Sequence, residues 1–393
     1  MKKPYLITPG PTPIPPQVSA KEGLPVMHHR TGEFQALFKE VIEGLKYVFQ
    51  TQNDVFLMTS SGTGAMESAV ANSMSPGEEA IVASAGVFGD RWGKLIEAYG
   101  GRVVMLRAED GRAVDPAMIQ QALRDHPRAK AVFTEHTETS TGVVMDLQRI
   151  GEIVAATPAI LVVDAISGLG GQELLTDAWK LDVVVTGSQK GLMTAPGLAA
   201  VAVGPKAWPL IEASKSPRFY FDYRKMKKSI PENETPFTPG VTLIVSMAEA
   251  LRQIKEEGLA LAVARHAWLA EATRAGVKAL GLEIFAKDPC TVLTSVTVPA
   301  GIDGKKLIKR LREDYGVSIA GGQGALLGKI FRLAHLGYMG RFDVIIALSA
   351  VEMMLHEMGL KIELGRGVAA AERVFTAQTA PTPAGAPATA GAR

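Results

Sequence analysis

From about residue 33 to residue 258, helix-length amphipathic stretches alternate with short apolar runs. Glu33–Phe49 has helical spacing. Strands are predicted at Val55–Thr59, Ala80–Ala83, Arg102–Leu106, Ala129–Thr134, Ile160–Asp164, Val183–Thr186 and Leu198–Val203. The alternation predicts an α/β fold, a mostly parallel sheet with helices on both faces. Runs as apolar as VVVT and ILVV suit strands covered on both sides. One long helical stretch, Val241–Glu257 and on through Leu259–Leu280, then leads away from the sheet. Beyond it the pattern predicts a strand at Thr291–Val298, a helix at Lys305–Tyr315, short strands around Ser318–Ile319 and Lys329–Leu333, and a last helix at Asp343–Met358. This is a smaller α+β domain. The expected division is a proline-dense extended arm over 1–20, a large domain over 21–258 and a small domain over 259–376. The Ala/Pro/Thr-rich tail, 377–393, is expected to be disordered.

Composition narrows the class. Forty-two basic against 40 acidic residues give a formal charge of +2, too balanced for nucleic acid or an anionic membrane as partner. The basic run Arg224–Lys228 reads as a solvated face or a loop at a subunit contact. Cys290 is the single cysteine, so no intrachain disulfide can form; it reads as a small buried hydrophobe in an apolar strand pattern. The opening MKKPYLITPGPTPIPP has no apolar core for a signal helix, and no run reaches membrane-span length. The cytoplasm is the expected compartment.

The chemistry gathers at strand ends. In DVVVTGSQKGL, Lys190 follows an apolar strand, where open α/β sheets bind ligands. A partly desolvated amine there loses basicity and becomes a nucleophile toward an aldehyde. In AILVVDAISGLGG, Asp164 ends a second strand, and a carboxylate there needs a partner. Singly, the lysine reads as a surface residue and the aspartate as a turn cap. Together they suit pyridoxal phosphate, which takes a lysine on its aldehyde and an aspartate on its ring nitrogen. FLMTSSGTGAMES reads as strand, turn and helix. Ser61, Gly62 and Thr63 fall where helical amides are unpaired, which fits either a plain N-cap or an anion site. TEHTETSTG, over 134–142, brings hydroxyls and carboxylates to the same rim; His136 within it has no evident partner and reads as a loop histidine. Phe88, in SAGVFGDRW, is either a core residue or a ring that stacks on a heteroaromatic ligand. Arg332, in the apolar run GKIFRLAHLG, wants a carboxylate, from the protein or from a substrate.

Taken together, TPGPTPIPP, SSGTGAMES, ETSTGVV, VVDAISGLGG, GSQKGLM and GGQGALLGKIFRLAHLG resemble the class V pyridoxal-phosphate aminotransferases, in the alanine–glyoxylate / serine–pyruvate group. The resemblance covers nearly the whole chain and implies fold type I. It implies that Lys190 holds the cofactor aldehyde and shuttles the proton, and that Asp164 holds the ring nitrogen. By the same resemblance Ser61, Gly62, Thr63 and Gln189 bind the phosphate, while Phe88 and Ile166 cover the two ring faces. Thr139 would lie near the ring hydroxyl, and Arg332 would grip the substrate carboxylate. Thr238 would reach the phosphate of a neighbouring subunit, which implies a homodimer. Where animal members of the family carry a tyrosine, this chain has Thr235. HHRTGEF, at 28–34, resembles bacterial and archaeal members.

The expected activity is transfer of the amino group of alanine or serine to glyoxylate or pyruvate. Other donors (phosphoserine, ureidoglycine, aspartate) remain open, and His28, His29 and Arg30 are the basic residues a phosphorylated donor would need. A cysteine desulfurase needs a cysteine on a mobile loop, a poor match to Cys290. A scaffold that kept only the fold is disfavoured because Lys190, Asp164 and Arg332 are all present.

Overall fold

Seven of the apolar runs pair into one sheet in the computed structural model, which describes residues 2–377. Ahead of the sheet come β1 (Tyr5–Leu6), α1 (Pro16–Glu22) and α2 (Gly32–Phe49). Thr31 caps α2 by accepting the amide of Phe34. Next come β2 (Asp54–Thr59), α3 (Gly62–Ser73), β3 (Glu79–Ser84), α4 (Val87–Ala98), β4 (Arg102–Arg107) and β5 (Ala131–Glu135). A short hairpin, β6 (Thr137–Glu138) and β7 (Val143–Val144), precedes β8 (Ile160–Asp164), β9 (Val183–Gly187) and β10 (Leu198–Val203). The sheet order is β2-β10-β9-β8-β5-β3-β4. Neighbours from β9 to β4 run parallel, whereas β10 is antiparallel to both β9 and β2.

The strands read as unbroken apolar runs because each face feeds its own core. In β8, Leu161 and Val163 join the core that also holds Phe34, Val41 and Leu45 of α2. Ile160 and Val162 point to the opposite core with Ala65, Met66 and Val70 of α3. Parallel register puts Glu135, Asp164 and Val185 side by side, so the carboxyl ends of β5, β8 and β9 share one rim.

The small domain is built on β11 (Leu293–Thr297), β12 (Val317–Ser318), β13 (Ala320–Gly321) and β14 (Ile330–Ala334). β14 lies between β11 and β13, antiparallel to both. Three expectations change. The long helix is two, Val241–Glu257 and Leu259–Ala279, because Gly258 at φ +86° breaks it. The arm is not extended throughout: Pro16 opens α1, whose first residues fall inside 1–20, and Tyr5–Leu6 pairs parallel with β12. Helix Arg366–Ala377, which the sequence pattern did not predict, packs Phe375 edge-on against Trp268 at 4.7 Å. Ala377 ends that helix, and the rest of the tail expected to be disordered lies outside the described residues. Among the described residues no helix is long and apolar enough to cross a membrane.

Trp92 anchors α4 to the sheet. It is fully buried, its ring lies 5.0 Å from that of Phe133, and its Nε1 donates to Thr134 O at 3.0 Å. Trp92→Ala should lose about 3–5 kcal/mol, read as a lowered midpoint in urea unfolding followed by circular dichroism.

Candidate active site

The site forms where the rim of the large sheet meets β14 and the N-terminal arm. Lys190 lies three residues beyond β9 and is 8% exposed; its Nζ donates to Ser167 Oγ at 2.8 Å. Ser167 in turn hydrogen-bonds Thr139 Oγ1. The arm closes the other side. A Cβ on Gly10 would overlap Lys190 Cε, and the backbone there, at φ +150°, suits glycine. Thr12 fixes the next turn, its amide donating to Gln189 O at 3.1 Å and its hydroxyl to Lys190 O at 3.0 Å.

Burial sets the protonation states. It lowers the Lys190 amine to about 8, against the pull of Asp164 and with a smaller push from Arg332. Asp164 is raised to about 6 by burial, opposed by the amide of Ile166, which donates to its Oδ1 at 2.7 Å, and by Lys190. Burial also drives Glu135 well above the usual carboxylate range; Oε1 accepts from Ala85 N at 2.7 Å and Oε2 has no partner among the described residues. Glu138 is raised by burial as well, yet it holds the first turn of α4, accepting from Phe88 N at 3.0 Å and Gly89 N at 2.9 Å.

Ser61 caps α3, with Oγ 3.4 Å from the amide of Gly64. Gly62 lies against Ile166, whose Cδ1 would be 2.6 Å from a Cβ at that position. Gln189 closes this cradle: its Oε1 is buried without a partner, and a Cβ on Gly187 would meet that oxygen at 2.9 Å and Gly62 at 3.4 Å. The Phe88 ring centroid is 5.8 Å from Lys190 Nζ. Arg332 is held by backbone carbonyls alone, donating from Nη1 to Thr139 O at 2.6 Å, and from Nε at 2.9 Å and Nη2 at 2.5 Å to Gly321 O. It forms no ion pair among the described residues, so no protein acid fills its fork. Burial lowers it to about 10, which leaves it a cation at neutral pH.

The fold thus brings Lys190, Asp164, Ile166, Phe88, Thr139, Gln189, Arg332 and the Ser61–Thr63 turn to one rim. Thr238 stands apart. It is exposed, and its Oγ1 lies 3.5 Å from His29 Nε2. Thr235 is buried with its hydroxyl donating to Phe237 O at 2.7 Å. Cys290 is fully buried just before β11, not within it. His136 is buried, and desolvation lowers its imidazole to about 4, a poor base at neutral pH. Sequence reasoning missed Gly10, Ser167, Glu138 and Arg91. All four lie inside quoted motifs, Arg91 three residues after Phe88 on one helix face; that Gly10 packs on Lys190, far along the chain, had no local signal.

A seven-stranded, mostly parallel sheet with a smaller C-terminal sheet is the fold type I architecture of pyridoxal-phosphate aminotransferases. The chain belongs to the aminotransferase class-V family, whose model matches residues 5–347, and it is an aminotransferase. It is 41% identical over 380 residues to a protein of Synechococcus sp. named soluble hydrogenase, small subunit, covering 95% of this chain and 99% of that one. It is 36% identical to serine–glyoxylate aminotransferase of Methylorubrum extorquens, over 93% of this chain and 94% of the relative. The crystal structure of ureidoglycine–glyoxylate aminotransferase from Bacillus subtilis superposes with a TM-score of 0.91 at 31% identity, covering 96% of this chain and 99% of the other.

An amine attacks an aldehyde only in its neutral form. Capture of pyridoxal by Lys190 in the ligand-free chain should therefore rise with pH around about 8, where an exposed lysine would need about 10.5. Asp164→Asn removes a charge that favours the ammonium, so the midpoint should move lower. Borohydride trapping across pH, followed by peptide mapping, checks both; a label on another lysine contradicts the assignment.

Proposed function

We propose that this aminotransferase uses pyridoxal phosphate to move the amino group of alanine or serine to a small 2-oxo acid, glyoxylate or pyruvate. Arg332 carries the reading: a buried cation oriented by two carbonyls, with no protein carboxylate, is placed for a substrate carboxylate. Two relatives named for glyoxylate support that acceptor. The residues present fit the cofactor. Gln189, whose Oε1 is buried without a partner among the described residues, lines a polar cradle beside Gly62 where its amide N–H groups would donate to a phosphate, and Asp164 keeps Oδ2 without a hydrogen bond among the described residues.

When bound, the cofactor supplies a conjugated ring that accepts the electron pair left at the substrate Cα. The chain does the rest. Asp164, through Oδ2, would hold a protonated ring nitrogen, whose positive charge would return the carboxyl to its ionised form. Ser61, Gly62, Thr63 and Gln189 would bind the phosphate; Phe88 and Ile166 would cover the ring faces, and Thr139, tied to Ser167, would serve the ring hydroxyl. Lys190, neutral in a useful fraction near pH 8, takes a proton at Nζ and returns it across a short distance. Gly10 and the arm exclude water from above Lys190.

The working form in this reading is a cytoplasmic homodimer, with domains at 21–258 and 259–376. Exposed Thr238, outside its own chain's Lys190 cluster, suits contact with the phosphate of the partner subunit's site. Thr235 spends its hydroxyl on Phe237 O and offers no substitute for the tyrosine of animal relatives. Desulfurase chemistry is disfavoured by the buried Cys290. The hydrogenase name of one relative finds no echo either, since iron–sulfur clusters need several thiolates and this chain has one cysteine.

Lys190→Ala should abolish turnover in a folded protein. Asp164→Asn should slow it on the order of a hundredfold or more. Arg332→Lys keeps the charge and loses the fork, at about 1.5–3 kcal/mol. Half-saturation for the amino donor should then rise roughly tenfold to a hundredfold with the resting cofactor absorbance unchanged. Assays of alanine, serine, aspartate and ureidoglycine against glyoxylate, pyruvate and 2-oxoglutarate test the substrates. Bleaching of the protein's visible absorbance by none of these donors would refute the transaminase reading.

A further inference from the structure

Arg91 is a second cation at this rim that the assignments above leave without a role. It lies on α4, three residues after Phe88, and its guanidinium carbon sits 4.9 Å from the centroid of that ring. Residues three apart share a helix face, so the stacking follows from the helix itself. Nη1 donates to Thr63 Oγ1 at 2.9 Å, and that is its one hydrogen bond among the described residues. Its neighbour in sequence, Asp90, is engaged with Arg107, and Arg91 forms no ion pair among the described residues. The side chain is half-buried.

We propose that Arg91 is a phosphate-anchoring residue, a guanidinium that neutralises the cofactor's phosphate ester at the Ser61–Thr63 turn. This rests on the pyridoxal-phosphate reading above. The turn itself offers amides and hydroxyls but no charge, and a phosphate monoester brings close to two negative charges at neutral pH. A half-buried anion without a counter-charge is costly. The other two cations of the site are committed elsewhere: Lys190 to the aldehyde, and Arg332 to Thr139 O, Gly321 O and the substrate side. Among the described residues Nε and Nη2 of Arg91 have no hydrogen-bond partner, two donors in the spacing that matches a pair of phosphate oxygens. Thr63, by accepting from Arg91, keeps its own O–H to donate to the same anion.

The position of Arg91 is set by the fold. Glu138 accepts from Phe88 N and Gly89 N, Ser140 Oγ accepts from Val87 N at 3.1 Å, and Trp92 is pinned to Thr134 O. These contacts leave α4 little freedom to swing the guanidinium away. The competing role for Arg91 is a cover for the outer face of Phe88, which would act on the ring and not on the phosphate.

Pyridoxal and pyridoxal phosphate separate the two roles, since they differ only in the phosphate. The full chain, stripped of cofactor, is titrated with each aldehyde by visible absorbance, with borohydride labelling of Lys190 as a second readout. For Arg91→Met the dissociation constant of pyridoxal phosphate should rise roughly tenfold to a hundredfold, with that of pyridoxal unchanged. Inorganic phosphate should compete with pyridoxal phosphate in the wild type and compete less in the variant. Arg91→Lys, which keeps the charge and most of the packing, should fall between them, and it is the variant read if Arg91→Met does not fold. Equal weakening of both aldehydes, or no change in either, overturns the proposal. A wild-type chain that binds neither aldehyde refutes the underlying cofactor reading instead.

Discussion

The desolvation of one amine organises this molecule. Lys190 can be buried because the strand before it, Val183–Gly187, is covered on both faces and delivers the chain to the rim without reaching solvent. Burial alone would leave a lysine uncharged and unanchored. Asp164, one strand over, pulls the proton back, and Ser167 gives the amine a single hydrogen-bond acceptor. The balance leaves an amine near the point where it is both nucleophile and proton carrier at physiological pH. Every shell around it serves that balance: the parallel register of β8 and β9 sets the distance to Asp164, and the arm seals the last open side at Gly10.

The arginines divide by what satisfies them. On the surface they meet carboxylates, as in Arg112 with Glu109, Arg149 with Glu152 and Arg310 with Asp314. Such exposed pairs add little stability. Arg332 and Arg91 are different: one is held by carbonyls, the other by a hydroxyl and an aromatic ring, and neither meets an acid among the described residues. A cation held in place without a counter-ion is poised for an anion from outside the chain. One lies on β14 of the small domain and the other on α4 of the large one, so anionic groups at two ends of a ligand would be gripped by two different domains.

Glu135, Glu138 and Asp164 show how three buried acids share this space. Ionised together they would repel, and burial raises all three. The structure separates their tasks by hydrogen bonds. Glu138 is ringed by amide and hydroxyl donors and orders the start of α4. Glu135, driven well above the usual carboxylate range by burial, keeps one oxygen without a partner among the described residues and is the natural holder of a proton. Asp164 accepts the amide of Ile166 at Oδ1 and keeps Oδ2 without a hydrogen bond among the described residues.

The sheet strands were legible in the sequence nearly to the residue, because a strand buried on both faces must be apolar throughout and a covering helix must show its own period. Ile160–Asp164 and Leu198–Val203 coincide with their predicted bounds. That Lys190, Asp164 and the Ser61–Thr63 turn would share one rim was legible for the same reason: they follow strands whose ends are fixed by that pattern. Local sequence carries no distance across the chain, however. That Gly10 packs on Lys190, that Ile7 O accepts from Ala334 N beside the Arg332 strand, and that Arg91 meets Thr63 are facts of long-range packing. So is the solitude of Arg332, since a sequence shows which acids exist but not how far away they lie. Periodicity and turn chemistry determined the elements and the rim; only the tertiary structure decided which charges there were left for a ligand, because a counter-ion counts only within a few ångströms.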